Sequence, residues 1–203
     1  MSILKQLVLG MLLVATINAN AQNLSEIFAK SYAAEKNANY TEAIAAMQAQ
    51  TYTSSYEVNL RLGWLYYADK KHSESVAYYQ KAIALKPLAT EPLWGIIYPL
   101  SVQEKWTGVE QAYKDILKLD PRNSKANYYL GSIYFYRKDY TTAKKYLQEV
   151  IALYPFDKDA NLLYGWSQYY LGNTSEAKNA FNHVLNSKPD DSSAKEGLAL
   201  LNK

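Results

Sequence analysis

The chain contains no cysteine. Disulfide scaffolds, thiol nucleophiles, cysteine-based zinc sites and lipid attachment through a lipobox cysteine are therefore excluded. Histidine is almost as scarce: His72 and His183 stand far apart, and neither has a second histidine nearby to share a metal. Charge of one sign is missing too. The 22 Lys and Arg face 19 Asp and Glu, for a net charge of +3 with no basic block, so the clustered footprint that nucleic acid requires is absent. No Ser-His-Asp set, paired carboxylates or Gly-rich phosphate loop stands out. These absences describe a non-enzyme with no cofactor and no metal site. A hydrophobic share of 49% nevertheless excludes disorder, and the chain is rich in one side chain, with 20 tyrosines.

A long apolar run occurs only at the start. Lys5 supplies a positive charge, Leu7 to Ala15 is apolar, and Ala19-Asn20-Ala21 forms an A-x-A site before Gln22. That is the anatomy of a secretory signal peptide over residues 1–21. The run is too short to span a bilayer comfortably, so no stable membrane span is expected in the mature chain. Export is expected, to a bacterial periplasm first, with an extracellular or outer-membrane-associated site as alternatives.

The remainder is periodic. Pro87, Pro121, Pro155 and Pro189 recur every 34 residues, and Gly63, Gly131 and Gly165 keep the same phase. In the unit Ser124 to Pro155, Leu130, Gly131 and Tyr134 share one helical face, and Ala143, Leu147 and Val150 share another. Small residues at Gly131 and Ala143 allow two helices to approach closely, and Pro155 ends the second. Leu130, Gly131, Tyr134, Ala143 and Pro155 resemble the pattern of the tetratricopeptide repeat, with Asn127 in place of its Trp and Leu147 in place of its Phe. The resemblance implies an all-α, right-handed superhelix of helix pairs. The expected segments are a degenerate first repeat at 22–55, regular repeats at 56–89, 124–157 and 158–191, and a capping helix at 192–203.

The repeat at 90–123 diverges. Ile97 replaces the glycine, Val109 replaces the alanine, and Pro99 lies inside the first helix, with Gly95 four residues earlier leaving backbone room for a bend. Thr41, Ser73, Thr107, Thr141 and Ser175 occupy one position in every repeat. As N-cap residues they predict that each second helix begins at or just after them.

The family resemblance also implies that first helices line an inner wall. Its ligand-facing positions fall here on Phe28, Leu60, Trp94, Tyr128 and Leu162, then on Tyr32, Trp64, Tyr98, Ser132 and Trp166, with Tyr67, Phe135, Tyr136, Tyr169 and Tyr170 beside them. Trp64, Tyr67, Trp94, Tyr98, Tyr128, Phe135, Trp166 and Tyr169 are the candidate partner-binding residues, because Tyr and Trp combine area with a polar tip. Tyr40, Tyr66, Tyr79, Tyr113, Tyr134 and Tyr140 fall at interhelical packing positions and are expected in the core. Glu57, Glu91, Lys125 and Asp159 occupy the positions where some relatives clamp a peptide carboxylate with basic groups, so that docking mode is not expected. The expected function is a non-catalytic scaffold for a protein or peptide segment. A polysaccharide on the same aromatics and self-assembly into a homo-oligomer stay open as alternatives.

Overall fold

The structure is a computed structural model and describes residues 24–48 and 54–202. The signal-peptide reading at 1–21 lies outside the described residues. The described residues form eleven helices and no strand. They are α1 (24–36), α2 (Tyr40–Gln48), α3 (Tyr56–Ala68), α4 (His72–Leu85), α5 (Glu91–Val102), α6 (Trp106–Leu119), α7 (Ser124–Tyr136), α8 (Tyr140–Leu153), α9 (Lys158–Tyr170), α10 (Thr174–Ser187) and α11 (Ser192–Leu201). They belong to two compact units, Met1–Gln103 and Glu104–Lys203, so the division falls inside the divergent repeat.

Helix boundaries follow from caps that recur with the repeat. The first helices α3, α7, α9 and α11 are capped by Ser55, Asn123, Asp157 and Asp191, whose side chains accept from Val58, Ala126, Ala160 and Ala194 N–H. Thr90, before α5, makes no such side-chain bond. Each later second helix ends in a cap residue followed by a closing proline: Lys86-Pro87, Asp120-Pro121, Tyr154-Pro155 and Lys188-Pro189.

The second helices start one residue earlier than their Ser/Thr positions suggest, at Tyr40, His72, Trp106, Tyr140 and Thr174. The expectation that Thr41, Ser73, Thr107, Thr141 and Ser175 cap them is corrected. Asn39 and Asp139 do this instead, accepting from Glu42 and Thr142 N–H. The cause is the preceding turn. Lys71, Asp139 and Asn173 N–H bond back to Tyr66, Tyr134 and Gln168 carbonyls, while Lys70, Lys138 and Gly172 N–H bond to Tyr67, Phe135 and Tyr169. This double bond pattern closes a helix through one left-handed residue and sends the chain directly into the next helix. Gly172 takes that conformation freely at φ 78°, whereas Lys70 and Lys138 adopt φ 62° and 63° at a cost of about 1–2 kcal/mol each.

In unit 1 the core is built from Ile27, Ala34, Ala43, Ile44, Met47, Val58, Leu62 and Leu65. Unit 2 holds two such clusters, one around Ala143, Leu147 and Val150, the other around Ala177, Phe181 and Val184. In α4, α8 and α10 one side chain sets the spacing. A Cβ on Gly63 would lie 2.8 Å from the Tyr79 ring, and one on Gly95 would meet the same ring closer still. Phe181 is held likewise by Gly165, at 2.8 Å, and by Gly197. Where the second-helix residue is the smaller Leu147, Gly131 is still needed, at 2.6 Å, but the next first helix carries Leu163 packed against that cluster. Gly95 is therefore kept by the Tyr79 ring. Pro99 is buried inside α5, and the helix continues past it to Val102.

A second repeated tie escapes the family pattern. Asn127 Nδ2 donates to the Pro121 and Asn123 carbonyls at 3.1 and 3.0 Å, and Asn161 Nδ2 to Pro155 and Asp157 at 2.9 and 2.8 Å. Asn59 donates to the Ser55 carbonyl at 2.7 Å. These buried amides fasten α3, α7 and α9 to the loops before them, which explains asparagine at this position.

The ring-and-glycine packing can be tested by exchange. Gly197→Leu alone is expected to destabilise the chain by about 1–3 kcal/mol or more in urea unfolding. Adding Phe181→Leu, which recreates the Leu147–Leu163 arrangement, is expected to recover most of that loss. Additive losses in the double variant would reject the pairing.

Candidate functional site

In unit 1 the first helices α1, α3 and α5 build one wall. Arg61, on α3, is buried, yet its guanidinium pairs with Glu35 of α1 at 2.6 Å, and its Nε donates to the buried Ser31 hydroxyl at 3.2 Å. The same Glu35 accepts from Trp64 Nε1 at 2.5 Å. The pair fastens α3 to α1 and fixes the Trp64 indole, which remains 41% exposed. Arg61 also lies over the Tyr32 ring, 3.9 Å from its centre. A paired and hydrogen-bonded charge can be buried in this way because its partners replace the lost water.

These side chains surround a cavity of about 510 Å³ lined by Phe28, Tyr32, Tyr56, Glu57, Leu60, Arg61, Trp64, Tyr79, Glu91 and Gly95. The aromatic row continues beyond it, from Trp64 to Tyr67 at 5.9 Å and on to Tyr98 of α5 at 5.7 Å. Tyr98 is half exposed. Trp94 stands half-buried on α5 and is not among the lining residues. Four of the eight candidate residues thus lie in unit 1, and Trp64 is the one that faces the cavity.

Unit 2 holds the other four. Phe135 packs against the core cluster of Ala143 and Leu147, and Trp166 and Tyr169 pack against that of Ala177 and Phe181. Trp166 lies 5.1 Å from the Phe181 ring and donates to Ser193 Oγ at 2.9 Å, so it pins α9 to α11. Tyr128 is half-buried beside Tyr129. The most open rings on the first helices here are Tyr136, 75% exposed, and Tyr170. Tyr170 stacks at 4.4 Å on Tyr140, which is half-buried and not enclosed in the core as its position suggested. Tyr40, Tyr66 and Tyr134 are half-buried as well, while Tyr79 and Tyr113 are core residues.

Three polar residues of the cavity fall outside the eight candidates, although the family resemblance places Glu57 and Glu91 at ligand-facing positions. Tyr56 donates to Glu91 at 3.2 Å, and Lys86 pairs with Glu57 at 2.8 Å while covering the Tyr56 ring. The hydrogen bond from Lys86, supported by Ser55, lowers the Glu57 carboxyl to about 2, and burial, with Glu91 beside it, raises the Tyr56 hydroxyl to about 12. Glu57 and Glu91 stand one 34-residue period apart. That spacing was visible, but their convergence with Tyr56 on one cavity was not.

A separate ionic cluster ties α6 to α7. Glu110 accepts from Tyr134 at 2.7 Å and from Lys114 at 2.6 Å, and it pairs with Arg137. Burial alone would raise its carboxyl, but the hydrogen bonds from Lys114, Tyr134 and Arg137 prevail and lower it to about 2. Among the described residues no group of His, Asp and Glu is arranged to hold a metal ion. No described helix is long and apolar enough to cross a membrane.

The paired helices, the 34-residue period and the aromatic first helices define an all-α repeat protein. Three models of the tetratricopeptide repeat match, over residues 28–90, 112–145 and 134–201, and the chain belongs to that family. The unmatched stretch between them holds most of the divergent repeat. A tetratricopeptide repeat protein from Parabacteroides merdae shares 20% identity at a TM-score of 0.69, covering 89% of this chain and 72% of that one. MamA shares 16% at 0.68, covering 85% and 95%. YrrB, described as a TPR protein with an unusual peptide-binding site, shares 14% at 0.67, covering 92% and 97%. No curated sequence matches.

The Glu110 cluster carries a pH signature. Its folded carboxyl lies below its ordinary value of 4.5, so its contribution is full above that value and is lost as pH falls toward 2. Glu110→Gln is expected to lower stability at neutral pH and to flatten this part of the acid-unfolding profile. An unchanged acid slope would reject the assignment.

Proposed function

We propose that the protein is a non-catalytic scaffold that holds an extended polypeptide segment against its aromatic first-helix wall. The observation that carries this reading is the cavity between α1, α3 and α5, where Phe28, Tyr32, Leu60 and Trp64 present aromatic and apolar surface on rigid helices. Its aromatic and apolar lining with a few polar groups at the edge suits the anchoring side chains of a bound segment. The fixed Trp64 indole lowers the entropy cost of binding because its orientation is set before the partner arrives. Family membership supports the same class of function, and a neighbour of the same fold is described by its peptide-binding site.

The double variant Tyr32→Ala/Trp64→Ala tests it. Envelope polypeptides retained by the wild-type chain, and mapped to a short segment, are expected to bind the variant at least tenfold more weakly, with far-UV circular dichroism unchanged. Equal retention by the variant would remove the cavity from the interface. Retention of polysaccharide alone would replace the peptide reading with the glycan one.

We also propose export, on the strength of Lys5, the Leu7–Ala15 run and the Ala19-Asn20-Ala21 site. Expressed in a bacterium, the chain is expected in the periplasmic fraction with Gln22 as its first residue. Full-length chain confined to the cytoplasm would overturn this.

A further inference from the structure

The charges around the unit 1 cavity do not balance. Three carboxylates, Glu35, Glu57 and Glu91, stand beside two cations, Arg61 and Lys86. Glu35 is committed to Arg61 and Trp64, and Glu57 to Lys86 and the Ser55 hydroxyl at 2.8 Å. Glu91 is exposed and takes only the Tyr56 hydroxyl, with no ion-pair partner among the described residues. Tyr56 remains a protonated donor, because burial and its carboxylate neighbour hold its hydroxyl well above neutral pH. The two tyrosine rings already show what this surface accepts. Tyr32 carries Arg61 at 3.9 Å and Tyr56 carries Lys86 at 4.2 Å. The Trp64 ring stays open to solvent.

Resting on the peptide-groove reading, we propose that the cavity selects its segment by one lysine or arginine side chain. The cation sits on the Glu91 carboxylate, and its methylene stem lies along Leu60 and the Trp64 ring. An aromatic wall beside an uncompensated carboxylate favours a long basic side chain on both counts, since the stem buries apolar area while the head gains charge pairing and a ring face. An acidic side chain here would meet Glu91 and Glu57 and be repelled. An uncharged one would shield Glu91 from water without replacing that water. Helix position favours the design. Glu91 opens α5, where its charge suits the positive helix end.

The test selects peptides from a random twelve-residue phage-display library on the intact chain, then measures fluorescence anisotropy with the best binder and its Lys/Arg→Met counterpart. Enriched peptides are expected to share one basic residue flanked by apolar ones. Loss of that residue is expected to weaken binding about tenfold on the wild-type chain and to make little difference on Glu91→Gln. Enriched peptides without a basic residue, or equal losses on both proteins, overturn the charge assignment. If such peptides still need Tyr32 and Trp64, the groove reading stands while this one falls. Selection of no peptide at all overturns both.

Discussion

A single aromatic ring pressed between two glycines sets the geometry of two of the three regular repeats. Tyr79 between Gly63 and Gly95, and Phe181 between Gly165 and Gly197, bring a second helix within reach of the first helix before it and the first helix after it. The ring must be large to fill the crossing, and both first helices must lack a side chain to admit it. Leu147 shows the same constraint from the other direction: the smaller residue keeps Gly131 but tolerates Leu163 on the following helix. Volume is conserved across the junction although the residues are not, as close packing demands.

The other repeated devices keep that crossing in register. A left-handed residue turns the chain between paired helices within three residues. An Asx or Ser cap starts most first helices, and a buried Asn draws the loop carbonyls onto three of them. None supplies recognition. They hold the first helices rigidly enough for their outward rings to keep fixed positions. In unit 1 this rigidity is turned to use by the Arg61–Glu35–Trp64 link, where one buried ion pair both joins α1 to α3 and aims an exposed indole. In unit 2 the equivalent tryptophan is spent on structure, since Trp166 packs on Phe181 and bonds to Ser193.

Much of the fold was legible in the chain because a repeat writes each constraint several times. The prolines, glycines and apolar faces recur at 34 residues, and each states a short-range requirement that the local backbone must meet. The errors were equally local. Ser and Thr look like caps wherever they precede an apolar run, but the turn hydrogen bonds begin the helix one residue sooner. Gly95 gives the backbone before Pro99 room, but the ring that also requires it comes from another helix and was not legible in the chain.

The sequence by itself determined the helix pairs, their period, their family and which side chains could face outward, because these depend on spacing along one chain. Only the tertiary structure decided which outward aromatics remain available and which are consumed in packing. It alone brought Tyr56, Glu57 and Glu91 to the same cavity as Trp64. Those outcomes depend on contacts between helices far apart in the chain, where a neighbour's volume and charge, not a residue's own identity, fix what it does.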